Sequence, residues 1–120
     1  MKMETDMPYD LHQEKNYAQE RSKVYDAALK SVEKLKGQMV SSKPDDFRFE
    51  VKFDKTLLGK VVGERTKLTC VIQTEGTESK VVVDAYPLDA VGQKLMFGAR
   101  KGVTQEVINL FTEHLENNLK

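Results

Sequence analysis

The segment that most constrains this chain is residues 66–86, two apolar-rich runs hinged on Glu75-Gly76-Thr77-Glu78. A hairpin turn of two residues with glycine first is of type II′, whose twist suits the strands on either side. It sets Ile72 opposite Val81, Cys70 opposite Val83 and Leu68 opposite Ala85 on one face. Val71 then meets Val82, Gln73 meets Lys80 and Thr69 meets Asp84 on the other. A slip of one residue would turn the apolar set toward water, so the turn and the apolar face specify the same register. Upstream, Phe47, Phe49, Val51 and Phe53 alternate with Arg48, Glu50, Lys52 and Asp54, the period-two pattern of a strand with one buried face. Residues 39–42 read as a further strand, and Lys43-Pro44-Asp45-Asp46 as the turn between them.

Two stretches carry helical spacing instead. Val24, Ala28, Val32 and Leu35 recur on one side while Lys23, Asp26, Lys30, Glu33 and Lys34 take the other. Ser22 is placed to cap the start of this helix, and Gly37 to end it in the left-handed conformation. Val107, Ile108, Phe111, Leu115 and Leu119 form a second stripe, from Val103 to about Asn117. Between the last strand and this helix, residues 88–101 form an ordered connection interrupted by Gly92 and Gly98. The first twenty residues are polar and aperiodic, a loosely attached arm with room for one short strand. The expected fold is therefore α+β: a four-stranded antiparallel meander with two amphipathic helices packed on one face, in the order α-β-β-β-β-α. The arm covers residues 1–20 and a single domain covers 21–120.

Composition narrows the function classes. Lys plus Arg and Asp plus Glu each number 19, so the formal net charge is zero and no basic excess points to nucleic acid. The lone Cys70 excludes an intrachain disulfide, and no CxxC or Cys/His cluster offers zinc ligands. No metal or cofactor is expected. No stretch has the length of a transmembrane segment or of the apolar core of a secretory leader, so the expected compartment is the cytoplasm.

The chemistry-bearing residues do not converge. His12 and His114 each have a carboxylate nearby in sequence, Glu14 and Glu113, but adjacent helix residues point about 100° apart, so Glu113 is badly placed to orient His114. No nucleophile elbow, glycine-rich nucleotide fingerprint or zinc-protease motif is present. No catalytic residue is assigned, and the chain is not expected to be an enzyme. Cys70 alternates inward with Leu68 and Ile72 and is read as a small apolar core residue. Arg100, Lys101 and Gly102 stand at the start of the second helix, where free amides and the helix dipole favour an anion; the plainer reading is a connecting loop. Leu57, Leu58, Val61 and Val62 lie between two strands and admit two readings. Exposed, they mark a partner or membrane-surface contact; buried, they complete the core. On the outer sheet face Val71 and Val82 form a small apolar island, which Met7, Tyr9 and Leu11 of the arm, or a second copy of the chain, would cover.

The run Val24-Tyr25-Asp26-Ala27-Ala28-Leu29 through Leu35, the turn-linked strands at 41–53, the hairpin and the closing helix together resemble small uncharacterised bacterial helix/antiparallel-sheet/helix domains. They are also similar in layout to the helix-grip domains of outer-membrane assembly lipoproteins, over residues 22–120, although no lipobox cysteine is present. The resemblance implies a binding or scaffolding module in place of an enzyme. Two functions follow as expectations. The first is a non-catalytic interaction domain that binds a protein partner, or itself, through the outer sheet face or the 57–63 segment. The second is a binder of a small apolar or anionic ligand held between helices and sheet, with Arg100, Lys101 and Gly102 at the mouth. A cavity lined by Phe47, Phe49 and Phe53 would favour the second, and a filled layer the first.

Overall fold

A computed structural model describes residues 9–98 and 102–120. In chain order the elements are β1 (Leu11–Tyr17), α1 (Arg21–Lys34), β2 (Gln38–Lys43), β3 (Arg48–Phe53), β4 (Thr56–Leu57), β5 (Lys60–Val61), β6 (Arg65–Glu75), β7 (Glu78–Leu88) and α2 (Val103–Asn118), with a 3-10 turn at Pro44–Asp46.

The hairpin adopts the register its turn dictates: Ile72 pairs with Val81, Cys70 with Val83, Leu68 with Ala85 and Val71 with Val82. Gly76 sits at φ 63°, the left-handed value that a first turn position of this type requires. β3 lies antiparallel on the far side of β6, with Phe49 opposite Cys70 and Val51 opposite Leu68. β2 follows on β3, with a register shift between Met39 and Ser41.

The expected four strands are thus present as neighbours, but the sheet has five, in the order β1-β7-β6-β3-β2. The fifth is β1, from the segment read as a loosely attached arm. It runs antiparallel along β7 from Leu11 opposite Ala85 to Tyr17 opposite Ser79. Its inward positions, Leu11, Gln13, Lys15 and Tyr17, show no apolar alternation. Two of them are polar and satisfied by α2: the Gln13 amide donates to the Thr112 hydroxyl at 3.1 Å, and Lys15 pairs with Glu116. The free amides and carbonyls of β7 supply the pairing that the side-chain pattern does not announce.

Both helices cover the inner face. α1 buries Val24, Tyr25, Ala27, Ala28, Ser31 and Val32, and α2 buries Val103, Thr104, Val107, Ile108, Phe111 and Leu115. Phe111 reaches both Phe49 and Phe53 edge-on or tilted, with ring centroids 6.3 and 6.5 Å apart. The helices are tied to each other where the Ser31 hydroxyl donates to the Phe111 carbonyl at 2.8 Å and the Asn118 amide to the Ala27 carbonyl at 3.0 Å.

Three local expectations need correction. Ser22 lies inside α1, whose N-cap is Glu20, and the Glu20 carbonyl takes the Val24 amide at 3.1 Å. The left-handed residue ending α1 is Lys36, at φ 58°, and not Gly37. The amides of Lys36 and Gly37 bond the carbonyls of Glu33 and Val32 at 3.0 and 2.9 Å, the paired closure of a Schellman motif. Phe47 is also left-handed, at φ 51°, so β3 begins one residue after the alternation does. The Phe47 ring is held between the Arg21 guanidinium, 4.0 Å from its centroid, and the Tyr25 ring at 5.4 Å.

Candidate functional site

The 54–64 link between β3 and β6 divides its four aliphatics. The Lys55 carbonyl accepts the amides of Val62 and Gly63 at 2.8 and 3.2 Å, closing the base of the small β4–β5 hairpin. Residues opposed in an antiparallel pair share a face, so Leu57 shares one with Lys60, and Thr56 shares the other with Val61. Leu57 and Val62 are buried in the core cluster. Lys60 reaches Glu106 of α2, pinning the hairpin to that helix. Val61 points away, 63% exposed, and Leu58 stands at the tip, 52% exposed. Leu58 and Gly59 have φ of 53° and 80°, the pattern of a type I′ turn, whose first place suits asparagine and not leucine. Two of the four aliphatics, Leu57 and Val62, are therefore buried in the core, and the other two, Leu58 and Val61, are displayed.

The connection after β7 leaves from the same end of the sheet. Asp89 organises it, its carboxylate accepting the amides of Val91 and Gln93 at 3.0 and 2.9 Å. Arg65, at the start of β6, donates to the carbonyls of Asp89 and Ala90 at 3.2 and 2.9 Å. The Leu95 amide returns to the Pro87 carbonyl at 2.9 Å. On this ordered frame Val91 is 80% and Phe97 85% exposed. Neither was singled out by sequence reasoning, because isolated apolar residues in a glycine-punctuated connection have no period to reveal them. Arg100 and Lys101 of the expected anion site lie outside the described residues. Gly102 is the N-cap of α2, at φ 81°, and its carbonyl takes the Glu106 amide at 3.0 Å.

On the outer face Val71 and Val82 do stand opposite each other, half-buried among cross-strand ion pairs. Lys67 pairs with Glu50 at 3.2 Å, and Lys80 with Glu75 and Glu14 at 3.1 and 3.4 Å. β1 does not lie over the valines. It extends the sheet beside them, with Leu11 opposite Ala85 and Glu14 opposite Val82. His12 sits on this face with Nδ1 2.7 Å from Asp84 and Nε2 2.8 Å from Glu14. The bonds to Glu14 and then Asp84 raise its pKa above the ordinary 6.5, since an imidazolium can donate from both nitrogens. His12 thus bridges β1 and β7 through Glu14 and Asp84, and His114 is on α2, a separate element.

Between helices and sheet the layer is filled. Among the described residues Phe49, Val51, Phe53, Leu68, Cys70, Phe111 and Leu115 are each 0–1% accessible and pack closely on one another. Burial also pushes the Cys70 thiol far above its usual range. Two buried hydroxyls, those of Tyr25 and Thr66, have no hydrogen-bond partner among the described residues. An open groove of about 420 Å³ runs between β1 and α2, lined by polar side chains including Gln13, Asn109, Thr112 and Glu116. Among the described residues no group of histidine, cysteine and carboxylates could hold a metal ion, and no helix is long and apolar enough to cross a membrane.

The fold defined by this sheet and its two helices recurs in solved structures. The crystal structure of TTHA0849 from Thermus thermophilus matches with a TM-score of 0.52 at 15% identity, over 92% of this chain and 96% of that one. Ara h 8.0201 matches with 0.58 at 8% identity, over 92% and 97%. CalU16 from Micromonospora echinospora matches with 0.57 at 10% identity, over 92% and 76%. These are small α+β proteins of helix-grip-like fold, in keeping with the layout the sequence resembles, and at such identities the likeness concerns fold alone. No family model and no curated protein matches the chain.

Proposed function

We propose that the chain is a non-catalytic interaction or scaffolding module that meets its partner at the end of the sheet carrying the 54–64 and 89–98 connections. The observation that carries this reading is the division of the 57–62 segment. Leu57 and Val62 anchor the hairpin in the core while Leu58 and Val61 are held out in water, Leu58 in a backbone conformation that disfavours it. A protruding apolar tip on an anchored frame suits a macromolecular surface better than a small molecule. The outer face, with Val71 and Val82 among ion pairs, is the weaker candidate. A single buried thiol suits work in the reducing cytoplasm.

The competing reading, a small ligand between helices and sheet, calls for a pocket of roughly 300 Å³ or more. The filled layer argues against it, and the unpartnered hydroxyls of Tyr25 and Thr66 are what favours it. Titration with a fatty acid and with a flat aromatic, followed by NMR, separates the two. The module reading expects no saturable shift of the Phe49, Phe53 and Phe111 signals. Saturation at one ligand per chain with shifts at those rings would overturn it.

A further inference from the structure

β1 is attached to the domain by its backbone ladder and by polar contacts, without a core of its own. None of its seven residues is buried, whereas β3, β6 and β7 each bury three or more. Leu11 and Tyr17, at its two ends, are partly buried against the core cluster. Between them Gln13 and Lys15 face α2 across the open groove of about 420 Å³, where Thr112 and Glu116 hold them and Glu113 and Lys120 stand beside them. On the outer side His12 bonds Asp84 and Glu14, and Glu14 shares Lys80 with Glu75. The Tyr17 hydroxyl donates to Glu116 at 2.8 Å, and the Asp10 carboxylate takes Lys94 at 3.0 Å. Ion pairs as exposed as these hold weakly and are screened by salt. A strand with so few buried apolar contacts belongs to the part of a domain that opens before the rest.

β2, the other edge, also buries nothing, but α1 and the turn into β3 hold both of its ends. The link from β1 to α1, residues 18–20, is irregular and is tied down where the buried Ser79 hydroxyl donates to the Gln19 carbonyl at 2.7 Å. When β1 leaves, the 79–85 edge of β7 is unpaired, on a strand whose Val81-Val82-Val83 run has high β propensity. The strand that fits this edge is β1 itself. A foreign strand would leave Asp84, Lys80, Thr112 and Glu116 without the partners that β1 brings to them.

We propose that β1 is an exchangeable strand: it opens from its own chain as a unit, and β1 of a second copy closes the freed edge of β7, giving a strand-swapped dimer. The exchanged pairing repeats the original, from Leu11 opposite Ala85 to Tyr17 opposite Ser79, with the same ion pairs. The two forms therefore differ in the path of the 18–20 link and in chain concentration, and not in contacts. Zero formal net charge leaves little repulsion between copies. The exchange uses none of the displayed apolar side chains and stands apart from the module reading.

Native-state hydrogen exchange of the full chain, with light scattering for mass, tests both halves. The amides joining β1 and β7 should exchange through an opening smaller than global unfolding, and faster as salt rises, while those joining β3 and β6 keep their protection. Glu116→Gln keeps an acceptor for Tyr17 and loses the pairing with Lys15, so it should speed this opening about two- to fivefold, the factor for one half-exposed ion pair. Parent chain held concentrated in high salt should yield a dimer that persists on dilution into low salt, its β1 amides as protected as in the monomer. Deleting Ala18 and Gln19, which shortens the link so that β1 no longer reaches its own β7, should make the dimer the stable form. Equal protection of the β1–β7 and β3–β6 amides, or opening indifferent to salt, overturns the release of β1. A parent that stays monomeric throughout, or a dimer that leaves the β1 amides unprotected or newly protects those of β2, overturns the exchange.

Discussion

Gly37 lies against Val51 so closely that a β-carbon on it would fall 2.6 Å from Val51 Cγ2 and 2.8 Å from Phe53 Cε1. The glycine that follows α1 is thus required for its lack of a side chain on the inner face of β3, while its neighbour Lys36 takes the left-handed turn. Gly37→Ala should destabilise by roughly 1–3 kcal/mol through overpacking. Lys36→Gly should stabilise by about 0.5–1 kcal/mol, because glycine adopts that φ without strain. Urea unfolding of the two variants checks the pair. The reverse order would restore Gly37 as the left-handed residue.

Leu58 occupies the first position of a type I′ turn at φ 53°. Leu58→Asn should therefore raise stability by about 1 kcal/mol, since asparagine tolerates this conformation and no buried contact is lost. Thermal unfolding measures it. A lower melting temperature would mean that the tip is packed against something and not displayed.

Tyr25 and Thr66 bury hydroxyls without partners among the described residues. Removing a buried polar group that makes no hydrogen bond is neutral or favourable, so Tyr25→Phe and Thr66→Val should leave stability unchanged or raise it by up to about 1 kcal/mol. Chemical denaturation decides this. A loss beyond about 1 kcal/mol in both would show that each hydroxyl has a real partner in the layer.

His12 titrates above its ordinary 6.5 when folded, because Glu14 and Asp84 take its two nitrogens. A raised pKa contributes stability that is fully present below the unfolded value and is lost as pH rises through the folded one. Glu14 acts in the opposite sense: its pKa is lowered by His12 and Lys80, so its contribution is present above 4.5 and lost as pH falls through the lower folded value. The network is thus whole between those limits. Exposure keeps the effect small. An NMR titration should place the His12 midpoint above 6.5, and His12→Gln should flatten the stability profile on the alkaline side. A midpoint at or below 6.5 would show that the cross-strand bonds do not form.

What could be read from the chain follows from which signals are local. Gly76-Thr77 and the apolar faces it aligns determine β6 and β7 within a short segment, and Phe49, Val51 and Phe53 announce β3 by period. β1 was not legible as a sheet member, because Gln13 and Lys15 face inward and are satisfied by α2, at the opposite end of the sequence. The division of Leu57 and Val62 from Leu58 and Val61 was not legible either. It depends on where a left-handed turn falls, and Leu58-Gly59 is not a pair that advertises one. Phe97 and Val91 needed the frame built by Asp89 and Arg65, which no periodicity foretells.

A filled inner layer and apolar residues displayed at one end are two sides of the same division of the chain between core and surface. NMR attenuation of side-chain signals by a soluble paramagnetic agent reads both at once. Leu58, Val61, Val91 and Phe97 should be attenuated strongly, while Leu57, Val62, Leu68, Phe49 and Phe111 should be unaffected. Protection of Leu58 and Val61 equal to that of Leu57 and Val62, or attenuation of Phe49 and Phe111, would contradict it.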